Sequence, residues 1–178
     1  MPAEHAPTVP GAAPAAPASP PAPALRLRRG DGVPMPHRAH ADDAGLDLSS
    51  AEELVIPAGG RALVDTGLAL ALPPGTVGLV CPRSGLAARH GVTVLNGPGI
   101  VDAGYRGPIK VALHNTDAET PFALGIGDRI AQLVIVPFLA PVLEEVEDLE
   151  DTDRSAAGFG SSGGFGASAP APDQHQEG

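Results

Sequence analysis

The chain has 178 residues, of which 43% are hydrophobic and 3% aromatic, and its formal net charge is −10. That length suits one domain with a hydrophobic core, plus tails. The acidic charge argues against nucleic acid and anionic membranes as partners, because such ligands need a basic face on the protein. Glycine contributes 23 residues and proline 21, which favours short strands joined by turns over long helices. We therefore expect an all-β fold.

Residues 1–24 are mostly alanine and proline and can bury little surface, so we expect a disordered leader. The folded domain is predicted to span residues 25–143. Within it, strands are predicted at 25–28, 54–56, 61–72, 77–81, 92–95, 109–115 and 129–138. Short strands at this spacing are typical of a sandwich, a barrel or a jelly roll.

The chain contains a single cysteine, Cys81, so no intrachain disulfide is possible. A reducing cytoplasm is therefore the expected location. The apolar neighbours Leu79 and Val80 favour a buried core thiol over a nucleophile. The sequence has no apolar run of membrane-spanning length and no signal-peptide pattern, so we expect no membrane partner.

Two segments near the start of the domain combine polar with apolar residues. In residues 44–48, Asp47 lies between two leucines; on a strand it would face away from the core and could hold the water shell of a metal ion. In residues 82–86, Arg83 lies before a short helix predicted at 85–90, with Ser84 as its N-cap. Such a corner favours an anion such as phosphate, although a capped turn with a surface arginine is the simpler alternative.

Residues 96–107, NGPGIVDAGYRG, form a predicted hairpin in which the glycines allow the backbone to approach a ligand closely. Ile100 and Val101 favour an extended strand. Asp102 could take a proton from water, and Tyr105 offers a ring on which a sugar could rest. The alternative is an ordinary hairpin with a turn-forming aspartate and a half-buried tyrosine.

The C-terminal part contributes two further polar segments. In residues 127–133, Gln132 could face a polar site while its neighbours contact the core. Residues 144–178 comprise an acidic linker and a flexible Gly/Ser-rich arm, for which a solvated tail is the simpler interpretation. Because Arg154 and Phe159 lie inside this arm and phenylalanine suits a flexible linker poorly, we expect the arm to become ordered over a ligand.

Taken in chain order, five segments resemble the five motifs of the trimeric dUTPases, the deoxyuridine triphosphate nucleotidohydrolases. The segments are AGLDL at 44–48, PRSGL at 82–86, NGPGIVDAGYRG at 96–107, GDRIAQL at 127–133, and Arg154 with GFGSSG at 158–163. The resemblance covers residues 25–166 and implies a jelly-roll-like β-barrel with one short helix. It also implies a homotrimer with shared active sites that hydrolyses dUTP to dUMP and pyrophosphate with Mg²⁺. Such an enzyme limits uracil incorporation into DNA and supplies dUMP for dTMP synthesis.

The resemblance assigns a role to each matching residue. Asp102 would activate the attacking water, Tyr105 would stack under the deoxyribose, and Asp47 would contact Mg²⁺ through water while the ion lies mainly on the phosphates. The uracil would be read or covered by Asn96, Gly99, Ile100, Val101 and Phe159. The other predicted substrate-binding residues, most of them on the phosphates, are Arg83, Ser84, Gly85, Lys110, Gln132, Arg154, Gly160, Ser161 and Ser162.

Two other functions fit parts of this pattern. A dCTP deaminase shares the fold but needs a glutamate, which residues 107–111 lack. A non-catalytic nucleotide-binding module would keep the pocket, but the presence of Asp102 argues against it. The last motif departs slightly from the family pattern: Ala157 precedes Gly158 where a second glycine is usual, and Ser161-Ser162 replaces a Ser-Thr pair. The hydroxyl groups are retained, so phosphate binding is still expected.

Overall fold

The computed structural model describes residues 23–149. Most of the predicted leader and the arm from residue 150 onwards lie outside the described residues, so the predictions made for them stay predictions. The chain divides into two compact units, and the first ends at Leu139. Residues 140–149, in the second unit, are exposed and have no regular secondary structure.

Ten strands and one short helix make up the described part of the first unit, so the all-β prediction with one helix is confirmed. Predicted strand ends agree with the observed ones to one residue, and residues 122–124 form a strand that was not predicted. Within residues 23–149, no helix is long and apolar enough to cross a membrane. The elements are β1 Arg26–Arg29, β2 Leu46–Ser49, β3 Leu54–Ile56, β4 Arg61–Ala71, β5 Thr76–Cys81, α1 Ser84–His90, β6 Val92–Val94, β7 Gly99–Val101, β8 Pro108–Asn115, β9 Phe122–Leu124 and β10 Arg129–Pro137.

The strands form three antiparallel sheets. One four-stranded sheet has the order β1-β4-β8-β6, the other has the order β2-β10-β5-β7, and β3 pairs with β9. Between residues 23 and 149, no strand pairing joins the two larger sheets. The predicted barrel is therefore not closed, and the architecture is two packed sheets rather than a continuous ring.

A single hydrophobic cluster draws side chains from all three sheets. Alternate residues of β4 and β8 point inward, as expected when one face of a sheet is buried. Leu48, Leu113 and Leu133 are among the fully buried members. The buried side chain of Asn115 donates hydrogen bonds from Nδ2 to the carbonyls of Pro57 at 3.2 Å and Thr120 at 2.8 Å, which satisfies backbone groups that would otherwise be unpaired.

Helix α1 begins differently from the prediction. Its N-cap is Arg83, with extended backbone angles, and no side chain caps the helix. Ser84 is the first helical residue, so its predicted capping role is wrong. The Arg83 carbonyl accepts the first helical hydrogen bond, from Ala87, while the Arg83 side chain turns towards another part of the fold. The exposed Ser84 hydroxyl is therefore not engaged in capping.

Cys81 is half-buried and lies outside the core. Its neighbour Val80 fills the core position, and alternate residues of a strand face opposite sides. Cys81 instead opposes Gln132 on β10. The predicted buried core thiol is therefore wrong. The apolar run that suggested it contains residues on both faces of β5, and Cys81 lies on the face opposite to that of Val80.

Candidate functional site

A cavity of about 450 Å³, the hairpin cavity, opens beside β7 and β8. Among its described lining residues, Asp102 is the only carboxylate, and Tyr105 and Lys110 supply the other polar side chains. Five of the residues predicted from the sequence meet here. The lining comprises Leu63, Ile100, Val101, Asp102, Tyr105, Pro108, Ile109 and Lys110.

The turn after β7 fixes the relation between Asp102 and Tyr105. The Tyr105 N–H donates to the Asp102 carbonyl at 3.0 Å, and the Tyr105 hydroxyl donates to the Pro108 carbonyl at 3.0 Å. The Tyr105 ring lies so close to Gly107 that a Cβ atom there would overlap it. Glycine is therefore required at 107 if the ring is to keep this position.

Arg106 holds the same turn, a role that was not predicted from the sequence. Its Nη1 donates to the Ala103 carbonyl at 2.6 Å and to the Tyr105 carbonyl at 2.7 Å. Hydrogen bonds from an arginine to nearby carbonyls have no characteristic sequence pattern, so this role of Arg106 could not be predicted. The two bonds stabilise the loop that carries the ring of Tyr105.

Strand β7 is the last strand of its sheet. Its inner edge pairs with β5, and within residues 23–149 no strand pairs with its outer edge. Edge strands present backbone N–H and C=O groups that can bind a ligand. Asn96 lies just before β7, near enough that a Cβ on Gly99 would come within 3.3 Å of the Asn96 Nδ2 atom. The edge of β7 and the Asn96 amide thus offer donors and acceptors side by side.

Lys110 forms an ion pair with Asp65 on the neighbouring strand. The Nζ and Oδ2 atoms are 3.5 Å apart, and both side chains are partly exposed. Asp65 Oδ1 also accepts a hydrogen bond from the Gly67 N–H, at a bulge in β4. The pairing of β4 with β8 brings Asp65 to Lys110 over a long sequence distance, so Asp65 could not be predicted from sequence.

A second group of predicted residues forms around Asp47. We call Asp47, Arg83, Arg129 and Gln132 the arginine cluster. Asp47 Oδ1 accepts hydrogen bonds from Arg83 Nε at 3.2 Å and from Gln132 Nε2 at 3.4 Å, and Asp47 Oδ2 accepts one from Arg129 Nη1 at 2.9 Å. The Arg129 carbonyl also accepts a bond from Arg83 Nη1 at 3.1 Å. Arg129 was not assigned a role from the sequence.

The Asp47 carboxylate is only 4% exposed, so protein donors replace its hydration. As predicted, Asp47 lies on the opposite face of β2 from the core residue Leu48, and its nearest partners are arginines. No group of three or more acidic, histidine or cysteine residues positioned for a metal occurs in the described chain. Both carboxylate oxygens thus have at least one side-chain donor from the arginine cluster.

Arg83 and Arg129 also line a second cavity, of about 380 Å³, together with Asp128 and several apolar residues. Ser84 and Gly85 follow Arg83 directly at the start of α1. The carboxylates of Asp47 and Asp128 balance the formal charge of the two guanidinium groups, so an anion would be held here by directed N–H groups of the arginines and not by net charge. Arg154, Phe159, Gly160, Ser161 and Ser162 lie outside the described residues.

The hairpin cavity and the arginine cluster lie at opposite ends of β5. Val101 pairs with Gly78, and because the strands are antiparallel, Asp102 continues towards the start of β5. Asp102 is thus level with Val77, and Arg83 lies six residues beyond Val77, past the other end of β5. At about 3.3 Å per residue, some 20 Å of chain separates the two levels. The structure thus places these two groups of predicted residues apart within one chain, and does not bring Asp102 to Arg83.

Residues 31–163 match the sequence model of the dUTPase family. The chain belongs to the dUTPase family. The deoxyuridine 5'-triphosphate nucleotidohydrolase of Rhodococcus erythropolis is 55% identical over 142 residues, which cover 79% of this chain and 87% of the relative. The enzyme of the same name from Thermobifida fusca is 56% identical over 146 residues, 82% of each chain. The resemblance inferred from the five motifs is confirmed.

Solved dUTPase structures share the fold of this dUTPase. Staphylococcus bacteriophage 80alpha dUTPase with dUpNHpp has a TM-score of 0.73 and 32% identity, covering 79% of this chain and 98% of the phage protein. A mutant dUTPase from phage phi11 of S. aureus, described with a structural Mg(II) ion, has a TM-score of 0.67 and 30% identity, covering 72% and 99%. The predicted jelly-roll-like fold is confirmed by this similarity.

Proposed function

We propose that this dUTPase hydrolyses dUTP to dUMP and pyrophosphate with Asp102 as the general base. That the chain is a dUTP nucleotidohydrolase follows from its family; the residue roles are our proposal. The supporting observation is the hairpin cavity, where one exposed carboxylate lies beside an aromatic ring and the free edge of a strand. These are a proton acceptor, a surface for a sugar, and hydrogen-bonding groups for a base.

Asp102 would take a proton from the water that attacks the triphosphate. The new bond joins the water oxygen to phosphorus, the α–β anhydride bond breaks, and pyrophosphate leaves with the electron pair. A positioned general base contributes about 10²- to 10⁴-fold to such a step. Tyr105 would place its ring under the deoxyribose, since its hydroxyl is already bound to the Pro108 carbonyl. Lys110 would face the substrate from β8.

Uracil would bind at the outer edge of β7, where Gly99, Ile100 and Val101 offer backbone groups and Asn96 offers an amide. A rigid strand edge can exclude the thymine methyl by steric overlap, whereas an apolar pocket discriminates one methyl by only about 1–3 kcal/mol. Cytosine would leave buried donors and acceptors unpaired, and this loss of binding free energy is larger than that from one methyl group in an apolar pocket. One short strand would therefore exclude both competing bases.

The phosphates would bind to Arg83, Ser84 and Gly85, with Gln132 nearby. This arrangement requires two subunits, because Arg83 and Asp102 of one chain lie at opposite ends of β5. We therefore propose a homotrimer in which each active site takes its base from one subunit and its phosphate-binding arginine from another. The arm, with Arg154, Phe159, Gly160, Ser161 and Ser162, would complete the site.

Mg²⁺ fits this site as an ion carried mainly by the substrate phosphates. Asp47 is the one carboxylate of the arginine cluster, and a site without a cage of carboxylates suits an ion that keeps its waters and lies on phosphate oxygens. When bound, the ion would offset negative charge on the phosphates. We propose Asp47 as the residue that contacts it, through water.

The proposed reaction removes dUTP before it enters DNA and supplies dUMP for dTMP synthesis. A cytoplasmic location stays a prediction from the single cysteine. We expect no binding to nucleic acid or membranes, given the net charge of −10.

Product analysis tests the proposal directly. The full chain is incubated with dUTP, dCTP, dTTP or UTP, each with Mg²⁺ or with a chelator, and the Asp102→Asn variant is the matched control. We expect dUMP and pyrophosphate from dUTP alone, and only with Mg²⁺ and Asp102. Formation of dUTP from dCTP would instead indicate a deaminase, and binding of dUTP without turnover would indicate a regulatory module.

A further inference from the structure

The Asp47 carboxylate is shared between two arginines from different parts of the chain. Arg83 binds one oxygen through Nε, and Arg129 binds the other through Nη1. Asp47 is almost completely buried, whereas the side chains of Arg83 and Arg129 are 21% and 46% exposed. A carboxylate and a guanidinium prefer to form two parallel hydrogen bonds. Here neither arginine does so: Arg83 contacts only Oδ1, which also accepts from Gln132, and Arg129 contacts only Oδ2.

Arg83 is therefore held along only part of its guanidinium. Nε donates to Asp47 and Nη1 donates to the Arg129 carbonyl, both inside the arginine cluster. Among residues 23–149, no hydrogen bond involves Nη2. Guanidinium binds phosphate oxygens well through such an unengaged edge, and the cavity of about 380 Å³ gives it space.

A β-bulge brings Arg129 to this position. Arg129 and Gln132 are three residues apart, so in a regular strand their side chains would face opposite sides of the sheet. The register with β2 shifts between Arg129 and Ala131, so that Arg129 opposes Ser49 while Gln132 opposes Asp47. Ser49 and Asp47 lie on the same face of β2. The bulge thus turns Arg129 towards Asp47, a use of bulges that is frequent next to active sites.

We propose that Arg129 is a positioning residue that keeps Arg83 available for phosphate. By occupying Asp47 Oδ2, Arg129 prevents Arg83 from closing a two-bond pair on the buried carboxylate. Its carbonyl also fixes the direction of Nη1. Without the Arg129 side chain, the Asp47 carboxylate would attract a second donor from Arg83, which would withdraw from the cavity. The inference rests on the proposed function, which assigns Arg83 to the phosphates.

A double-mutant cycle tests this coupling. The variants are Arg83→Met, Arg129→Met and the combination, in the full chain with Mg²⁺. Affinity is measured for the dUTP analogue dUpNHpp and, by competition, for phosphate-free deoxyuridine. We expect Arg129→Met to weaken dUpNHpp binding about tenfold, equivalent to about 1.4 kcal/mol. Deoxyuridine affinity should stay within about twofold, since it has no phosphate for Arg83 to hold.

The combined variant decides between indirect and direct action. If Arg129 works through Arg83, the combined variant should bind dUpNHpp no more weakly than Arg83→Met alone. Additive losses would mean that Arg129 contacts phosphate itself and would overturn the inference. Arg129→Lys should restore most of the affinity, because an ammonium still satisfies Asp47 Oδ2; failure of this rescue would also count against the role.

Controls separate the inference from the proposed function. Arg26, like Arg129, is the first residue of its strand, is exposed, and lies outside the arginine cluster, so Arg26→Met should bind dUpNHpp normally. Equal loss of deoxyuridine binding in Arg129→Met would show a merely structural role. Normal dUpNHpp affinity in Arg129→Met, with weak affinity in Arg83→Met, would overturn the positioning inference alone. Normal affinity in Arg83→Met would overturn the assignment of Arg83 to the phosphates.

Discussion

Mixed trimers of two inactive variants should regain activity if, as proposed, Asp102 and Arg83 of one chain serve different sites. The variants are Asp102→Asn, which lacks the base, and Arg83→Met, which lacks the phosphate ligand. After random assembly from equal amounts, a shared site has one chance in two of an intact Asp102 and one in two of an intact Arg83. About a quarter of the sites are then complete, and activity should reach about a quarter of the wild-type rate.

The assay is pyrophosphate release from dUTP after the two variants are co-expressed in equal amounts and purified through one tag that both carry, so that trimers of every composition are retained. Each variant alone should be nearly inactive. If every site lay within one chain, no mixture of these variants could contain a complete site, and the absence of recovery would refute the shared arrangement. A second mixture provides a check: wild type with the Asp102→Asn, Arg83→Met double variant should keep about a quarter of the activity if sites are shared and about half if they are not.

Three further changes have defined outcomes. Asp102→Asn should lower kcat about 10²- to 10⁴-fold while dUpNHpp still binds; normal turnover would remove Asp102 as the base. Gly107→Ala should displace the Tyr105 ring and lower kcat/KM about 10- to 100-fold, with an unchanged melting temperature. Asn115→Ala should lower the free energy of unfolding in urea by about 2–3 kcal/mol, because buried carbonyls lose their donor. Normal stability of that variant would contradict the reasoning.

The hairpin cavity was largely predictable because its residues are close in sequence. Ile100, Val101, Asp102 and Tyr105 fall within six positions, and one turn is enough to bring them together. Strand prediction also succeeded, since alternation along β4 and β8 is a local property. Strand β9, Phe-Ala-Leu, escaped detection because it has no β-branched residue, whereas the equally short strands β3 and β6 do.

The arginine cluster was only half predictable. Asp47 and Gln132 were expected to face polar surroundings, but the pairing of Asp47 with Arg129 spans 82 residues and depends on a bulge. A single extra residue in a strand reverses which side chains share a face. No pattern in this sequence predicts the bulge. The error on Cys81 has the same origin, because a continuous apolar run does not say which residues face the core.

Strand β5 is the element that forces the proposed division of the active site. Arg83 lies two residues beyond the last residue of β5. Strand β7 pairs antiparallel with β5, so Asp102, which follows β7, lies near the first residues of β5. Rotation of the two side chains does not span some 20 Å, so in the proposed site the distance would be closed by another copy of the chain. Each subunit would then give its base to one site and its arginine to a different site. Dissociation should therefore abolish hydrolysis while leaving both half-sites folded, a combination that dilution with parallel measurement of activity and circular dichroism would detect.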